Sequence, residues 1–201
     1  KGIPIAGGMA GGSADAAAAL IAANKILDNE FELGELLDIA ADLGSDVPFT
    51  LVGGTALGTG RGEHLVPTLS KGTYHWALAF SRTGLATPAV FRKLDELGHT
   101  PHLDVTALSR ALRSGDPHQV APLLHNDMQA AALSLQPQLR TTLNTGMAAG
   151  ALAGIVSGSG PTCAFLCEDA RAAREVAAEL SLGGNTAVTS GPARGAHLKG
   201  E

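Results

Sequence analysis

Four short stretches of this 201-residue chain carry residue types whose spacing could do chemistry. The densest is Gly7-Gly8-Met9-Ala10-Gly11-Gly12-Ser13, directly ahead of an Ala-rich, Pro-free run. So many glycines are too costly in conformational entropy for a regular element. They let successive backbone N–H groups converge on one point, where a following helix adds the positive end of its dipole. The chemistry implied is phosphate binding, with the Ser13 hydroxyl on the phosphate or on its Mg2+. The plainer alternative is a tight turn that packs a helix against a sheet. The loop has neither the Gly-Lys-Ser/Thr of a Walker A motif nor the G-x-G-x-x-G spacing. In Gly44-Ser45-Asp46-Val47-Pro48-Phe49, a lone carboxylate falls between the expected end of a helix and an expected strand. Asp46 is there either a general base, or orienter of a substrate hydroxyl, or a turn residue bonded to local N–H groups. Ser157-Gly158-Ser159-Gly160-Pro161, between two apolar runs, reads as a hairpin connection or as a second lip over a phosphate or sugar. Thr87 and Phe91 share one face of an expected helix, Phe91 either stacking on a ring or serving the core.

Other reactive types carry less. His99 and His102 lie in a Pro-containing loop with no third ligand nearby, and His125-Asn126-Asp127 reads as a catalytic group or, more plainly, as a polar helix end. Cys163 and Cys167 share a strand face by parity and read as small core residues. They fit neither a metal finger nor a disulfide framework, which points to a reducing, cytoplasmic setting.

The elements that must position these residues follow from periodicity and punctuation. A helix is expected over 14–29, capped by Ser13, and a second over 33–43, with Leu36, Leu37, Ile39 and Ala40 inward and Gly44 as its stop. Residues 47–52 read as a strand, Gly53-Gly54 as a hairpin turn and 55–59 as the partner strand. Residues 70–72 form a polar joint, dividing the chain into domains 1–70 and 71–201. Strands are then expected at 74–80, 151–156, 162–167 and 185–189, with a frayed or edge-forming tail from Gly191. Helices are expected behind Thr87-Pro88, Asp104 and Asp116-Pro117, and over 138–149 and 170–180. Strand, helices, strand, strand, helix, strand is the split β-α-β order. Glycine loops in α/β folds follow a strand and none precedes this one, so the chain is expected to start within a domain.

Composition bounds the function. With 45% hydrophobic and 16% charged residues the chain is not a disordered one. No apolar run approaches the length of a bilayer span. A net charge of −5 speaks against a generic nucleic-acid or anionic-membrane surface, and no feature speaks for an oligomeric state.

Residues 1–17, from Lys1-Gly2-Ile3-Pro4 through the glycine loop to Ala17, resemble the phosphate-loop motif of the GHMP kinases. Residues 43–49, Gly53-Gly54-Thr55-Ala56, Gly60-Arg61-Gly62-Glu63, residues 85–91, His125-Asn126-Asp127-Met128 and residues 157–162 are similar, in the same order, to one branch of that family. Its acceptor is the 2-hydroxyl of a cytidyl-diphosphate-linked methylerythritol, in non-mevalonate isoprenoid precursor synthesis. The resemblance implies an α+β, two-domain GHMP kinase fold. Residues 1–70 would be the back half of an N-terminal domain like ribosomal protein S5, and residues 71–201 a ferredoxin-like C-terminal domain. It implies ATP-dependent phosphoryl transfer with Mg2+ to this small-molecule substrate. Lys1, Pro4, Ala6, Gly7, Gly8, Met9, Ala10, Gly11, Gly12 and Ser13 would bind ATP, with Lys1 near the adenine and Ser13 also on the metal. Asp46 would be catalytic, taking or orienting the hydroxyl proton. Thr87 and Phe91 would line the cytidine, while Gly158 and Gly160 would give room beside the phosphates on the substrate side. Ala14 stands where the motif carries a second Ser, and the family's lysine-bearing first motif has no counterpart here. The 201-residue chain alone is therefore expected to be inactive. The rival readings are a homoserine- or mevalonate-type kinase, and a non-catalytic nucleotide-binding sensor on the same scaffold.

Overall fold

The computed structural model describes residues 3, 7–98, 100–101 and 104–200. Lys1, Pro4, Ala6, His99 and His102 lie outside them. Among the described residues the chain forms two compact units, one of residues 10–69 and 192–200, the other of residues 3, 7–9 and 70–191.

The first unit packs three helices, α1 (Gly11–Ile26), α2 (Leu33–Leu43) and α3 (Val47–Val52), beside the hairpin of β1 (Ala56–Thr59) and β2 (His64–Pro67). Its core is Ala17, Leu36, Ala40, Val47 and Leu51. Ala17 and Ala40 are small enough to bring helix backbones close, which suits the Ala-rich α1. In α2, Leu36 and Ala40 turn inward and Leu37 packs beside them, but Ile39 is exposed, contrary to expectation. Helix α1 starts three residues early and is not capped by Ser13. Ala10 is its N-cap in the left-handed region (φ 48°), and the Ala14 N–H donates to the Ala10 carbonyl at 2.9 Å.

The expected strand over 47–52 is the helix α3. Its β-branched residues suggest a strand, but Val47, Pro48 and Leu51 are buried while Phe49 and Val52 are exposed. Burial at i, i+1 and i+4 belongs to a helix, and Pro48 in the first turn suits one. The Thr50 hydroxyl ties α3 to α1 by donating to the Ser13 carbonyl at 3.0 Å. Gly53-Gly54 is consequently no hairpin turn. Gly53 (φ +71°) meets the returning tail, where an added Cβ would stand 2.1 Å from the Gly195 nitrogen. The tail is not frayed: Gly53 bridges Arg194, and the Ala196 N–H donates to the Thr50 carbonyl. The hairpin turn lies instead at residues 60–63, between β1 and β2, and the second strand had no expectation attached.

The second unit has a four-stranded antiparallel sheet of β3 (Tyr74–Phe80), β4 (Ala153–Val156), β5 (Cys163–Cys167) and β6 (Asn185–Gly191), ordered β4-β5-β3-β6. That order and connectivity are ferredoxin-like. Helices α4 (Thr87–Glu96), α5 (Thr106–Ser114), α6 (Pro117–Val120), α7 (Gln129–Leu135) and α8 (Gln138–Ala148) fill the first crossover, and α9 (Ala170–Ser181) the second. Phe165, Val156, Val176, Cys163 and Cys167 are fully buried on one face. Gly146 of α8 lets Phe165 come so close that a Cβ would stand 2.2 Å from the ring. Asp116 caps α6, as expected. Asp104 accepts from the Thr106 N–H although Val105 is the N-cap of α5. Thr87 is the first residue of α4 rather than its cap, and its hydroxyl is used elsewhere. Among the described residues no helix is long and apolar enough to cross a membrane.

Candidate active site

In the second unit, the Ser157-Gly158-Ser159-Gly160-Pro161-Thr162 loop joins β4 to β5 and closes on itself. The Ser157 N–H donates to the Thr162 carbonyl and the Gly160 N–H to the Ser157 carbonyl, both at 2.8 Å. β4 is an edge strand, so the outward N–H and C=O of the buried Val156 need partners from outside the sheet. The start of α7 and the segment before it supply them: Gln129 Oε1 accepts from the Val156 N–H at 2.8 Å, and Asn126 Nδ2 donates to the Val156 carbonyl at 2.7 Å. The same amide reaches the Gly158 carbonyl at 2.8 Å.

This loop carries the first half of the other glycine segment. The Ser157 hydroxyl donates to the Gly8 carbonyl at 2.8 Å, and the Thr162 N–H to the Gly7 carbonyl at 3.3 Å. In a trans peptide the C=O and the following N–H point in opposite directions. With both carbonyls on the Ser157 loop, the N–H groups of Gly8 and Met9 are aimed away from it. Gly8 has φ +70°, and an added Cβ would stand 2.3 Å from the Ser157 carbonyl oxygen. Gly158 and Gly160 are also left-handed, at φ +53° and +80°. On the loop's other side, Ser159, nearly buried, shares a hydrogen bond of 2.8 Å with the Thr87 hydroxyl at the start of α4. Phe91, one turn on, is 50% exposed, so it is not the core residue that was the alternative.

In the first unit, Ala10, Gly11, Gly12 and Ser13 form the beginning of the 16-residue α1. The unpaired N–H groups of such a helix start, with its dipole, favour an anion. Asp46 is exposed, and as the N-cap of α3 its carboxylate bonds no backbone N–H of that helix. It therefore stands at the positive end of a helix rather than before a strand, a corrected setting that suits a charged carboxylate.

Gly7, Gly8, Thr87, Gly158 and Gly160 are thus gathered round one loop of the second unit, while Met9 continues from it. Gly11, Gly12, Ser13 and Asp46 belong to the first. Asn126, Gln129, Ser157 and Ser159 do work that spacing did not assign to them. Asn126 belonged to a stretch read as catalytic or as a polar helix end, and similar to the family branch, but without these partners, and helix α7 had no expectation. Beside the loop is a shallow cavity of about 410 Å3, bordered by Trp76, His125, Ser157 and Gly158. A larger one of about 740 Å3, at the α8–α9 end of the sheet, contains none of the expected site residues. Among the described residues no three His, Cys, Asp or Glu side chains cluster as metal ligands.

Comparison with known proteins bears on the family and the fold. Residues 1–54 match the GHMP kinases N terminal domain and residues 108–185 the GHMP kinases C terminal domain. A 4-diphosphocytidyl-2-C-methyl-D-erythritol kinase of Corynebacterium diphtheriae is 70% identical over 200 residues, which is 100% of this chain and 64% of the relative. A crystal structure of 4-(cytidine 5'-diphospho)-2C-methyl-D-erythritol kinase superposes with a TM-score of 0.80 at 32% identity, over 94% of this chain and 68% of that one. A homoserine kinase of Cytophaga hutchinsonii reaches a TM-score of 0.79 at 18% identity, over 98% of this chain and 69% of the other, and so shares the fold. The chain spans a little under two thirds of the curated relative's length.

Proposed function

Since the chain belongs to the GHMP kinase family, we propose that it acts, with the remainder of a full-length kinase, in moving the γ-phosphoryl group of ATP to the 2-hydroxyl of 4-diphosphocytidyl-2-C-methyl-D-erythritol. The observation that carries this reading is the 70% identity to a kinase of that name along the whole of this chain. The fold alone would not choose it, because a homoserine kinase superposes almost as well.

Phosphoryl transfer needs in-line positioning and charge neutralisation more than covalent chemistry. The Gly8 and Met9 N–H groups and the start of α1 are donors suited to the ATP phosphates. The Ser13 hydroxyl, third in α1, is a hard oxygen donor for Mg2+. That cation keeps several waters and takes much of its shell from substrate phosphates, so the Ser13 hydroxyl would be one member of that shell. When bound, Mg2+ would neutralise charge on the phosphates. Asp46 would orient or accept the proton of the attacking hydroxyl. Thr87 would fix the cytidine side through the start of α4, and the exposed Phe91 ring would stack on the cytosine. Gly158 and Gly160, having no side chains, would leave room beside the phosphates. An enzyme of this kind works on small molecules in the cytoplasm.

The test is ADP release by the full-length protein with the cytidyl substrate, homoserine and mevalonate offered separately. Turnover confined to the cytidyl substrate is expected. Turnover of another alcohol moves the assignment to that branch, and ATP binding without any turnover favours a sensor.

A further inference from the structure

We propose that Asn126 is a positioning residue for ATP binding, acting through the Ser157–Thr162 loop on the Gly7–Met9 segment. The proposal rests on the reading of that segment as phosphate-binding. Every polar atom of the Asn126 amide has a partner. Nδ2 donates to the Val156 carbonyl at 2.7 Å and to the Gly158 carbonyl at 2.8 Å, while Oδ1 accepts from the Met128 N–H at 3.0 Å. Two donors and one acceptor at these positions are what a side-chain amide offers; a carboxylate has the acceptor and no donor.

The two carbonyls lie on either side of Ser157. Asn126 therefore spans the backbone around the one residue whose hydroxyl holds the Gly8 carbonyl. Gln129 secures the N–H of Val156 as Asn126 secures its C=O, so together they take the place of a neighbouring strand at the edge of β4. Releasing the amide frees the Gly158 side of the loop while the Gln129 contact still anchors β4. The effect then falls on the aim of the Gly8 and Met9 N–H groups, not on the sheet.

The experiment compares wild-type full-length protein with Asn126→Asp and Ser157→Ala by ATP titration calorimetry, steady-state kinetics and thermal unfolding. Asn126→Asp keeps the shape and the acceptor for Met128 but sets a carboxylate oxygen against two carbonyls. Loss of two hydrogen bonds predicts a rise of about tenfold in the ATP Kd and in KM for ATP. The KM for the cytidyl substrate should stay within about twofold, since the Thr87–Ser159 bond is untouched. Ser157→Ala removes only the bond to Gly8 and should weaken ATP binding about threefold or more. It keeps the test decisive should Asn126→Asp fold poorly. Unchanged ATP affinity in Ser157→Ala overturns the proposal, as does an Asn126→Asp protein with lower kcat but normal ATP Kd and KM. Wild-type protein that binds ATP yet phosphorylates no cytidyl substrate refutes the acceptor assignment alone, and the calorimetric comparison still decides Asn126. Wild-type protein that does not bind ATP overturns both.

Discussion

Replacing Gly8 by alanine tests the site at its tightest point. An added Cβ would stand 2.3 Å from the Ser157 oxygen, 2.7 Å from the Gly160 oxygen and 2.8 Å from the Gly160 nitrogen. All three are backbone atoms, so no side-chain rotation relieves the contact. Gly8 is also at φ +70°, where a residue with a Cβ costs about 1–2 kcal/mol. If the segment moves away, the Ser157–Gly8 hydrogen bond is lost as well, at about 0.5–1.5 kcal/mol. The combined perturbation is about 2–3 kcal/mol. A segment that keeps its place carries this as lost stability. One that relaxes leaves only a small fraction of molecules competent for ATP, and the apparent Kd rises in inverse proportion. The rise would then be about 30- to 150-fold. Calorimetric ATP titration and urea unfolding, run together on the full-length protein, account for both routes. Gly34→Ala is the control: it lies in α2 with nothing within 4 Å of an added Cβ, and should stabilise by about 0.5–1 kcal/mol with ATP affinity unchanged. A Gly8→Ala protein with ATP affinity within about threefold and unfolding free energy within about 0.5 kcal/mol of wild type would refute the packing of the two glycine segments.

Asp46→Asn should lower kcat by about 100-fold or more while leaving unfolding free energy within about 0.5 kcal/mol, because the carboxylate is exposed and bonds no N–H of its helix. A near-normal rate would remove Asp46 from the chemistry. Thr87→Val and Ser159→Ala, combined in a double-mutant cycle on unfolding free energy, should show coupling of about 0.5–1.5 kcal/mol from their shared hydrogen bond. Strict additivity would contradict the pairing. Burial pushes the Cys163 thiol from 9.0 up to about 12. Between those pH values the unfolded chain has lost a proton that the native one keeps, so this group makes stability fall as pH rises, by about 1.4 kcal/mol per unit. Cys163→Ala should remove that share of the slope in unfolding measured from pH 9 upward, and an identical slope in both proteins counts against the buried thiol.

Elements whose signal is local were legible. The helix over 33–43 has the expected bounds because its apolar spacing and the stop at Gly44 are written within it. The strands of the second unit and α9 were placed nearly as well, since each is an apolar run between glycine or acidic punctuation. Val47–Val52 was misread because its composition favours a strand, whereas its burial against α1 and α2 imposes a helix. That error displaced the hairpin, whose turn glycines are Gly60 and Gly62. The glycine segments were recognisable as special, but not the stitches between them. Ser157 and Gly8 are 149 positions apart, Thr87 and Ser159 72, and no local pattern relates such residues. Asn126 was visible within a polar, family-like stretch, but its two carbonyl partners lie 30 and 32 positions further along, where no local pattern reaches.

Those stitches also give the second set of glycines a structural demand to meet. Gly158 and Gly160 were expected to make room beside phosphates, yet each meets a demand within the protein. A Cβ on Gly158 would stand 3.1 Å from the Gly8 oxygen, and one on Gly160 2.9 Å from the Val156 side chain. Both also have left-handed backbones, which glycine adopts without the penalty a Cβ brings. Gly8 and the Ser157–Thr162 loop approach this closely because Gly8 and Gly158 carry no Cβ where their backbones meet the other segment. The approach places the Ser157 hydroxyl on the Gly8 carbonyl, and the planar peptide then fixes where the Met9 N–H points. A loop that never touched a phosphate would still set phosphate affinity by this route. Substitutions in it should therefore act first on ATP binding and only second on the acceptor.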